Sequence, residues 1–404
     1  MKTNYRRDFL KKSVLGFSGA ALMPGVLRAA AISNPALATT PVIPVRTLGK
    51  TGIKIPILSM GTGDTNNPAL VKASLDSGIK LLGTSTYYGN GNNETMLGNV
   101  IKSLPRESFL IATSTMPNGT DHQKGIFTDT AAGAAFKQDI EGSMKRLGVD
   151  FLDILFLPFA AKRESVLFEP LLRVMEDFKK SGKARFIGIA THSYVDEAIL
   201  AAADTGIYDV AMIAYNFRMA QMQKLHEAVA YAATAGLGII AMKTMAGGYW
   251  DEKRTEPINS RAALKWILQH ENIHTIMSGM TTFEELQSNL AMMEDLKLSD
   301  DEQKELRLAS SLPSEGLYCL QCRNCDGQCR YDFDIPTLMR SFMYSYGYRN
   351  FEHAQDTLLH ANLPENACKN CGDCSVRCKA GFNVKNKIQD IARLKNVPRE
   401  FLMA

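Results

Sequence analysis

The sequence has no cysteine before Cys319, no long apolar run after residue 38 and no marked excess of one charge. A membrane-spanning helix needs about 18 to 20 consecutive apolar residues, so we expect none there. The chain holds 46 Lys and Arg against 42 Asp and Glu, and residues 1–38 contribute six of the basic residues and one of the acids. The remaining 40 basic and 41 acidic residues offer no basic surface of the kind that nucleic acids require.

The N-terminal residues resemble a twin-arginine export signal. Arg6 and Arg7 precede Asp-Phe-Leu-Lys, a moderately apolar stretch at 14–27 and small-residue sites at 29–31 and 36–38. An ordinary basic start or a mitochondrial transit peptide is the alternative, and the paired arginines weigh against both. We therefore expect residues 1–38 to be a signal peptide and the protein to be periplasmic or otherwise exported by the twin-arginine route. A chain with no cysteine before Cys319 also suits an oxidising compartment.

All eight cysteines fall into two copies of the spacing C-x2-C-x2-C-x3-C, which is typical of ferredoxins with two 4Fe-4S clusters. The fourth cysteine of each copy usually ligates the other cluster. Two tetrathiolate zinc sites or four disulfides are the competing interpretations. Arg330 and Lys379 replace the proline that often follows the fourth cysteine, and this removes no ligand. The expected ligand sets are Cys319, Cys322, Cys325 and Cys378 for one cluster, and Cys368, Cys371, Cys374 and Cys329 for the other.

Short apolar runs alternate with longer amphipathic segments between about residues 45 and 293. Eight such pairs, with helical patterns such as 136–147 and 260–270, predict an α/β fold, a (β/α)8 TIM barrel of about 250 residues. The runs are apolar nearly throughout, as parallel strands buried on both faces should be. The expected strands are 56–60, 80–84, 109–113, 152–157, 184–190, 210–214, 238–242 and 273–277.

The barrel is expected to span residues 45–312, and a small α-rich, ferredoxin-like 4Fe-4S domain is expected at 315–404. A capping box formed by Ser299 and Glu302 begins the last barrel helix, which should end before Pro313. Between the cysteine motifs we expect a helical insert at about 336–360. A basic tail helix at 384–394 should follow the second motif.

The predicted barrel resembles the aldo/keto reductases. The similar stretches are an opening hairpin at 46–55, Thr84-x-x-x-Tyr88-Gly89, and the segments 186–189, 214–216, 241–243 and 277–280. With the appended clusters, the chain resembles the exported iron-sulfur branch of that superfamily. The resemblance implies hydride transfer from NADPH to a carbonyl, with an Asp, Tyr, Lys and His tetrad at the carboxyl ends of the strands.

Only the tyrosine of that tetrad is present, as Tyr88. Gly83, Ser114 and Pro158 stand where the aspartate, lysine and histidine belong. A tyrosine has a pKa of about 10 unless a nearby cation lowers it, so Tyr88 alone would be a poor general acid at neutral pH.

Three polar residues at the predicted mouth are the catalytic candidates. Tyr88 either acts there or only packs with its hydroxyl satisfied. His192 either replaces the missing acid or base, or is an ordinary loop histidine. Lys243 closes the seventh strand, where a charge is costly unless it faces a cavity or an anion.

The resemblance also assigns cofactor-binding positions to Asn216, Gly279 and Asn289. Asn289 aligns with a contact to adenine, although a surface asparagine is an equal alternative. Ala190 and Met212 replace polar contacts to the nicotinamide, and this weakens the expectation that NADP is bound.

The sequence therefore predicts an exported oxidoreductase in which electrons pass between two 4Fe-4S clusters and a substrate or cofactor at the barrel mouth. An NADPH-dependent reductase with a retained cofactor is the first alternative. A non-catalytic electron-transfer or binding subunit is the second. The expected partners are a redox protein or a small-molecule substrate, with no nucleic acid and no membrane span.

Overall fold

The fold is taken from a computed structural model that describes residues 42–308 and 316–402. The predicted signal peptide lies outside the described residues, and the predicted boundary near residue 312 falls in the gap at 309–315. No helix of the described residues is long and apolar enough to cross a membrane.

Eight parallel strands close into a barrel, which confirms the predicted architecture. Around the barrel, each strand pairs with the next barrel strand along the chain, and the last strand pairs with the first. Most of their residues are buried because the strands face the barrel interior on one side and the helices on the other. The strands are β3 (Leu58–Gly61), β4 (Leu81–Gly83), β5 (Leu110–Ser114), β8 (Leu152–Pro158), β9 (Ala184–Thr191), β10 (Val210–Ala214), β11 (Gly238–Met242) and β12 (Thr275–Gly279).

The barrel helices form an outer layer and begin at side-chain caps that the sequence supplies. Asn67 and Asn259 each accept from backbone N–H groups of the first turn, and Thr282 forms a capping box with Glu285. The capping box predicted at Ser299 is also present. The helices are α1 (Pro68–Asp76), α2 (Asn92–Ile101), α3 (Ala132–Leu147), α4 (Arg163–Val166), α5 (Glu169–Lys180), α6 (Val195–Thr205), α7 (Met222–Thr234), α8 (Ser260–Leu268), α9 (Phe283–Ala291) and α10 (Asp300–Glu305).

An antiparallel hairpin of β1 (Val45–Thr47) and β2 (Lys54–Pro56) closes the end of the barrel where the strands begin. Its Leu48 and Ile55 are fully buried and pack with residues of the barrel interior. Pro56 pairs with Val45 in this hairpin, so the first barrel strand begins at Leu58 rather than at the predicted residue 56.

A second small hairpin, β6 (Thr120–Asp121) with β7 (Ile126–Phe127), follows β5 and was not predicted. Two-residue strands are too short to show an alternating pattern in the sequence. Between them, His122 packs edge-on against Phe159, with their ring centroids 4.7 Å apart.

The segment after residue 316 packs on the barrel at the carboxyl ends of its strands. It contains α11 (Ile335–Tyr346) and α12 (Phe351–His360), which occupy the predicted insert, and α13 (Val384–Ile391) in the predicted tail. Tyr87 OH lies 3.0 Å from Thr357 Oγ1, and the backbone N–H of Gly247 donates to Tyr348 OH at 3.2 Å. The C-terminal helices therefore form a roof over the barrel mouth.

Candidate functional site

Three strand ends at the floor of the mouth carry no acid, base or cation. A Cβ atom on Gly83, at the end of β4, would lie 2.8 Å from the sulfur of Met277, so a thioether fills this space. Ser114 ends β5 and donates to Ser85 Oγ at 2.9 Å. Pro158 ends β8 and has no ionisable group. The geometry agrees with the sequence, since these positions supply none of the missing tetrad groups.

A small pocket of about 70 Å³, which the roof covers in part and which is called the enclosed pocket, lies between this floor and the roof. Pro158, Ala190, Met212 and Met242 make its floor apolar. Ala190 and Met212 stand where the resemblance implies polar contacts to a nicotinamide, and neither side chain can donate or accept a conventional hydrogen bond. The ionisable lining comes from Tyr87, Tyr88, His122, His192 and Lys243 of the barrel and from Arg340, Tyr344, His353 and His360 of the roof.

Tyr88 begins the short helix Tyr88–Gly91 after β4 and lines the pocket as predicted. Its ring packs on Gly63, where a Cβ atom would lie 2.7 Å from the ring. Burial raises the pKa of Tyr88 to about 12, and Lys243 lowers it by less. Tyr88 is therefore neutral at pH 7 and can donate a hydrogen bond, but it is a weak proton donor.

Lys243 follows β11 and also lines the pocket. Its φ of 57° is left-handed, which is uncommon for a residue with a Cβ atom and occurs often at functional sites. Its Nζ lies 4.6 Å from the centroid of the Tyr344 ring. Burial lowers the pKa of Lys243, whereas Tyr344, Tyr88 and Asp64 raise it, and the net shift is upward. The ammonium is thus charged at neutral pH.

His192 follows β9 and faces both the pocket and the roof. Its Nε2 atom is buried and has no hydrogen-bond partner among the described residues. Burial, followed by the charges of Arg340 and Lys243, holds the pKa of His192 well below its ordinary value. The imidazole is therefore neutral at pH 7 and has an unused nitrogen available to a ligand.

The roof residues of the pocket were not predicted from the sequence. Thr337, Arg340 and Tyr344 lie on one face of α11, and His353, Thr357 and His360 lie on one face of α12, at spacings of three or four residues. Arg340 is the single charged residue of α11, and a lone charge in an otherwise apolar helix was the available signal.

Asp64, which was also not predicted, connects the loop after β3 to the roof. Its Oδ1 accepts from Asn350 Nδ2 at 2.7 Å and lies 3.4 Å from His353 Nδ1. Burial alone would raise the pKa of Asp64, but His353, Lys243 and Asn350 lower it to about 2. Burial lowers the pKa of His353, so this imidazole is neutral at pH 7 and the carboxylate is stabilised mainly by hydrogen bonds and by the charge of Lys243.

Of the three predicted cofactor-binding residues, Gly279 lines a cavity, whereas Asn216 and Asn289 are buried. Asn216 is buried and donates to Lys243 O at 3.0 Å and to Tyr318 OH at 2.8 Å, so it holds the turn that carries Lys243. Asn289 is buried and donates to Ser278 Oγ at 3.3 Å. Gly279 lines a second, larger cavity.

This second cavity of about 770 Å³ lies beside the pocket and shares Tyr88, Lys243 and His353 with it. Its volume falls within the range of ligand sites, roughly 300–1,000 Å³. Its charged lining includes four acids, Asp64, Glu285, Glu352 and Asp356, and three bases, Lys243, Arg254 and Arg349. The size suits a dinucleotide, but this lining gives little attraction for several phosphates.

The eight thiols lie in two groups, one around Cys319 and one around Cys368. Burial raises the pKa of Cys319 to about 12, and the thiols close enough to raise it further are Cys325, Cys378 and Cys322. Burial likewise raises the pKa of Cys368 to about 11, and its neighbours are Cys371, Cys329 and Cys374. Each set therefore contains three cysteines of one motif and the fourth cysteine of the other.

Hydrogen bonds join the two cysteine motifs and keep the fourth cysteine of each motif beside the thiols of the other. Gln328 accepts from Ser375 Oγ and, through Oε1, from the backbone N–H of Arg377, at 2.5 and 2.6 Å. Arg330 donates to Asn370 O at 2.8 Å. The exchange matches what two-cluster ferredoxin motifs require.

The thiols of the second set line one small cavity with Ile335, Val384 and Ile388. None of the eight cysteines is joined to another by a disulfide. Within 42–308 and 316–402, no three Cys, His, Asp or Glu side chains converge on a single metal-ion position. A four-iron cluster spreads its ligands over four atoms, so the two thiol sets fit such clusters without that convergence.

The first thiol set lies directly against the barrel mouth. A narrow cavity is lined by Cys319 together with His192, Lys243 and Arg340, which also line the enclosed pocket. Tyr318, immediately before Cys319, is tied to Asn216 of the barrel. One thiol group is thus in contact with the candidate site through Cys319.

The chain resembles known oxidoreductases over the barrel. The sequence profile of the aldo/keto reductase family matches residues 60–262. L-galactose dehydrogenase of Arabidopsis thaliana is 25% identical over 304 residues, which cover 65% of this chain and 92% of that enzyme. An NADH-specific methylglyoxal reductase of Escherichia coli is 25% identical over 312 residues, which cover 63% of this chain and 94% of that enzyme.

Solved structures show the same fold. An aldo-keto reductase from Bacillus halodurans in its holo form is 18% identical and superposes with a TM-score of 0.54, covering 67% of this chain and 97% of that chain. An aldo-keto reductase from Klebsiella pneumoniae in complex with NADPH is 20% identical, with a TM-score of 0.50, covering 66% of this chain and 94% of that chain. The family profile ends at residue 262, before the cysteine motifs begin at Cys319. With its eight-stranded barrel and this match to half of its length, the chain belongs to the aldo/keto reductase family.

Proposed function

We propose that this aldo/keto reductase-type oxidoreductase is exported and transfers electrons between two 4Fe-4S clusters and a small molecule bound in the enclosed pocket. The observation that carries the proposal is the cavity that Cys319 shares with His192, Lys243 and Arg340. These residues belong to the pocket as well, so the first thiol set and the candidate site have a common wall. The absence of tetrad groups at Gly83, Ser114 and Pro158 argues against orthodox hydride transfer.

The clusters would supply single electrons. The chain's own residues would bind the small molecule, hold protons near it and keep water out. Tyr88 and His192 are neutral at pH 7 and can donate hydrogen bonds, while Lys243 keeps its proton. The roof formed by α11 and α12 encloses the pocket, which strengthens these polar interactions.

Export supports the same function. The twin-arginine route carries folded proteins with their cofactors inserted, as the resemblance implies, so a leader of this kind suits a protein that must receive its clusters before export. The proposed location is the periplasm or an equivalent exported compartment.

The test uses full-length protein purified without air. Chemically reduced protein is freed of excess reductant and mixed with a panel of carbonyl compounds, and cluster reoxidation is followed by electron paramagnetic resonance. At least one compound should reoxidise the clusters of the wild type. The same compound should lose this ability with Cys322→Ser or Cys371→Ser, each of which removes a ligand from one set.

Added NADPH should support negligible reduction of simple aldehydes, because general acid catalysis contributes about 10²- to 10⁴-fold and the groups that tune Tyr88 are absent. Rapid NADPH oxidation that Tyr88→Phe abolishes would show that the hydride mechanism survives. If no compound reoxidises the clusters, the barrel is a scaffold and the protein is an electron-transfer or binding subunit.

A retained dinucleotide is the second candidate, and the 770 Å³ cavity favours it. Gly279 and Lys243 line that cavity, and the cavity meets the pocket at Tyr88. Mass spectrometry of small molecules released from the purified protein tests this candidate. NADP in stoichiometric amount would support it, and protein free of any nucleotide would exclude tight retention.

A further inference from the structure

Arg340 is a buried cation that forms no ion pair with a carboxylate among the described residues. It is 7% exposed, and its Nη2 donates to Thr337 Oγ1 at 3.0 Å. Its Nη1 is buried and has no hydrogen-bond partner among the described residues. Burial raises the pKa of the nearby Asp334 carboxyl group, and the charge of Arg340 opposes this rise. The hydrogen bond that Asp334 accepts comes from the backbone N–H of Thr337 at the start of α11.

Lys243, which comes from the barrel, is a second cation that lines the same pocket. Within the described ranges, neither Lys243 nor Arg340 forms an ion pair within 4.0 Å of a carboxylate. The described residues that line the pocket include no aspartate and no glutamate. A buried charge without an ion-pair partner is costly, and a ligand of opposite charge would offset that cost.

The remaining lining adds hydrogen-bond capacity and an apolar surface. His192 contributes a nitrogen without a partner, and its imidazole is neutral, so it adds no third charge. Below it, Met212, Met242 and Ala190 form an apolar floor. A small molecule with an anionic end and an apolar body would place each part against a matching wall.

We propose that the pocket binds a small organic carboxylate whose anionic group lies between Arg340 and Lys243 and whose apolar body rests on the methionine floor. A guanidinium binds a carboxylate with two parallel hydrogen bonds, which makes Arg340 the main determinant of this specificity. Arg340 lies on α11, between the two cysteine motifs. The segment that carries the thiol sets therefore also selects the substrate. This inference names the substrate class of the proposed function and rests on it.

The experiment measures binding by isothermal titration calorimetry at pH 7, with oxidised, cluster-loaded, full-length protein and no electron donor. The probes are benzoate and its neutral analogue benzamide, which share size and shape. Benzoate should bind wild-type protein at least about 10-fold more tightly than benzamide, as expected for charge-assisted hydrogen bonds. Arg340→Gln and Lys243→Met should each weaken benzoate binding by about 10-fold or more and weaken benzamide binding by less, because an amide oxygen forms weaker hydrogen bonds than a carboxylate.

Arg393→Gln is the matched control, since this arginine lies in the same C-terminal segment with a side chain 79% exposed. It should bind benzoate as the wild type does. Should Arg340→Gln fail to fold, Arg340→Lys keeps the charge without the paired geometry and should show an intermediate loss. Protection of the wild type against heat by benzoate but not by benzamide provides a second measurement.

Equal affinity for both probes, or no binding of either, would overturn the inference. Unchanged benzoate binding in Arg340→Gln, together with an altered electron paramagnetic resonance spectrum of the reduced clusters, would also overturn the inference. Arg340 would then serve only to balance the charge of the first cluster. None of these results depends on electron transfer. A pocket that rejects benzoate would therefore leave the proposed cluster-linked function standing, and a failure of cluster reoxidation would leave the binding result intact.

Discussion

Single side chains at the barrel mouth carry most of the functional information. Lys243, His192 and Arg340 are each costly where they lie, because they place a charge or an unused polar atom in a closed pocket. Two of them follow barrel strands directly and could be found from the sequence. Arg340 stands out in the sequence only as a lone charge in an apolar helix, and its place in the pocket could not be predicted because the barrel residues of the pocket are distant from it in the chain.

Asp64→Ala should lower the free energy of unfolding by about 1–3 kcal/mol, because it leaves Asn350 without its acceptor at the contact between barrel and roof. Chemical denaturation at pH 7 measures the change. Asp76→Ala is the control, since that side chain is 61% exposed in its pair with Lys72 and should alter stability by less than about 0.5 kcal/mol. Equal effects would show that the Asp64 contact does not hold the roof.

At the scale of elements, a buried ion pair fixes α2 against α3. Glu94 is fully buried, accepts from Thr113 Oγ1 at 2.6 Å and accepts from Arg146 Nε at 2.8 Å. These contacts position the helix that follows Tyr88. The helical pattern of the sequence predicts both elements, but not the pair between them.

Arg146→Met should destabilise the protein by about 3–5 kcal/mol, because it leaves the buried carboxylate of Glu94 without a cation and with only the Thr113 hydroxyl as a donor. Lys72→Met, which breaks an exposed pair on α1, should cost at most about 1 kcal/mol. Thermal unfolding of the two variants provides the comparison. Similar losses of stability in the two variants would mean that water or another donor replaces Arg146 at Glu94.

At the scale of the whole molecule, the exchange of fourth cysteines between the two sets predicts how much iron each double cysteine variant retains. Cys322→Ser with Cys378→Ser removes two ligands of one set and should leave about four irons, whereas Cys322→Ser with Cys329→Ser touches both sets and should leave almost none. Iron analysis of protein purified without air measures both. If each motif held its own cluster, the two double variants would show the reverse order.

Export is a further property of the whole chain. Replacing Arg6 and Arg7 with lysine should leave cluster-loaded precursor in the cytoplasm, because the export machinery reads the arginine pair. Replacing Lys11 and Lys12 with arginine keeps the pair and should not change the location. Cell fractionation with iron analysis measures the outcome, and an unchanged location in the first variant would contradict the predicted signal.

The sequence by itself determined what depends on local pattern. The (β/α)8 order follows from apolar runs of buried strands, and the loss of acid and base groups follows from Gly83, Ser114 and Pro158. The cysteine spacing likewise predicts two ligand sets that exchange their fourth cysteines, since the fourth cysteine of such a motif ligates the other cluster. The first barrel strand begins two residues later than the sequence predicts, because Pro56 pairs with Val45 in the neighbouring hairpin.

Only the tertiary structure decided what meets at the barrel mouth. Asp64 and His353 lie 289 residues apart in the chain, yet their polar atoms are 3.4 Å apart. No periodic pattern specifies which helix covers which end of a barrel, because that choice depends on the packing of whole surfaces. The placement of Arg340 opposite Lys243, and of Cys319 beside both, follows from that packing.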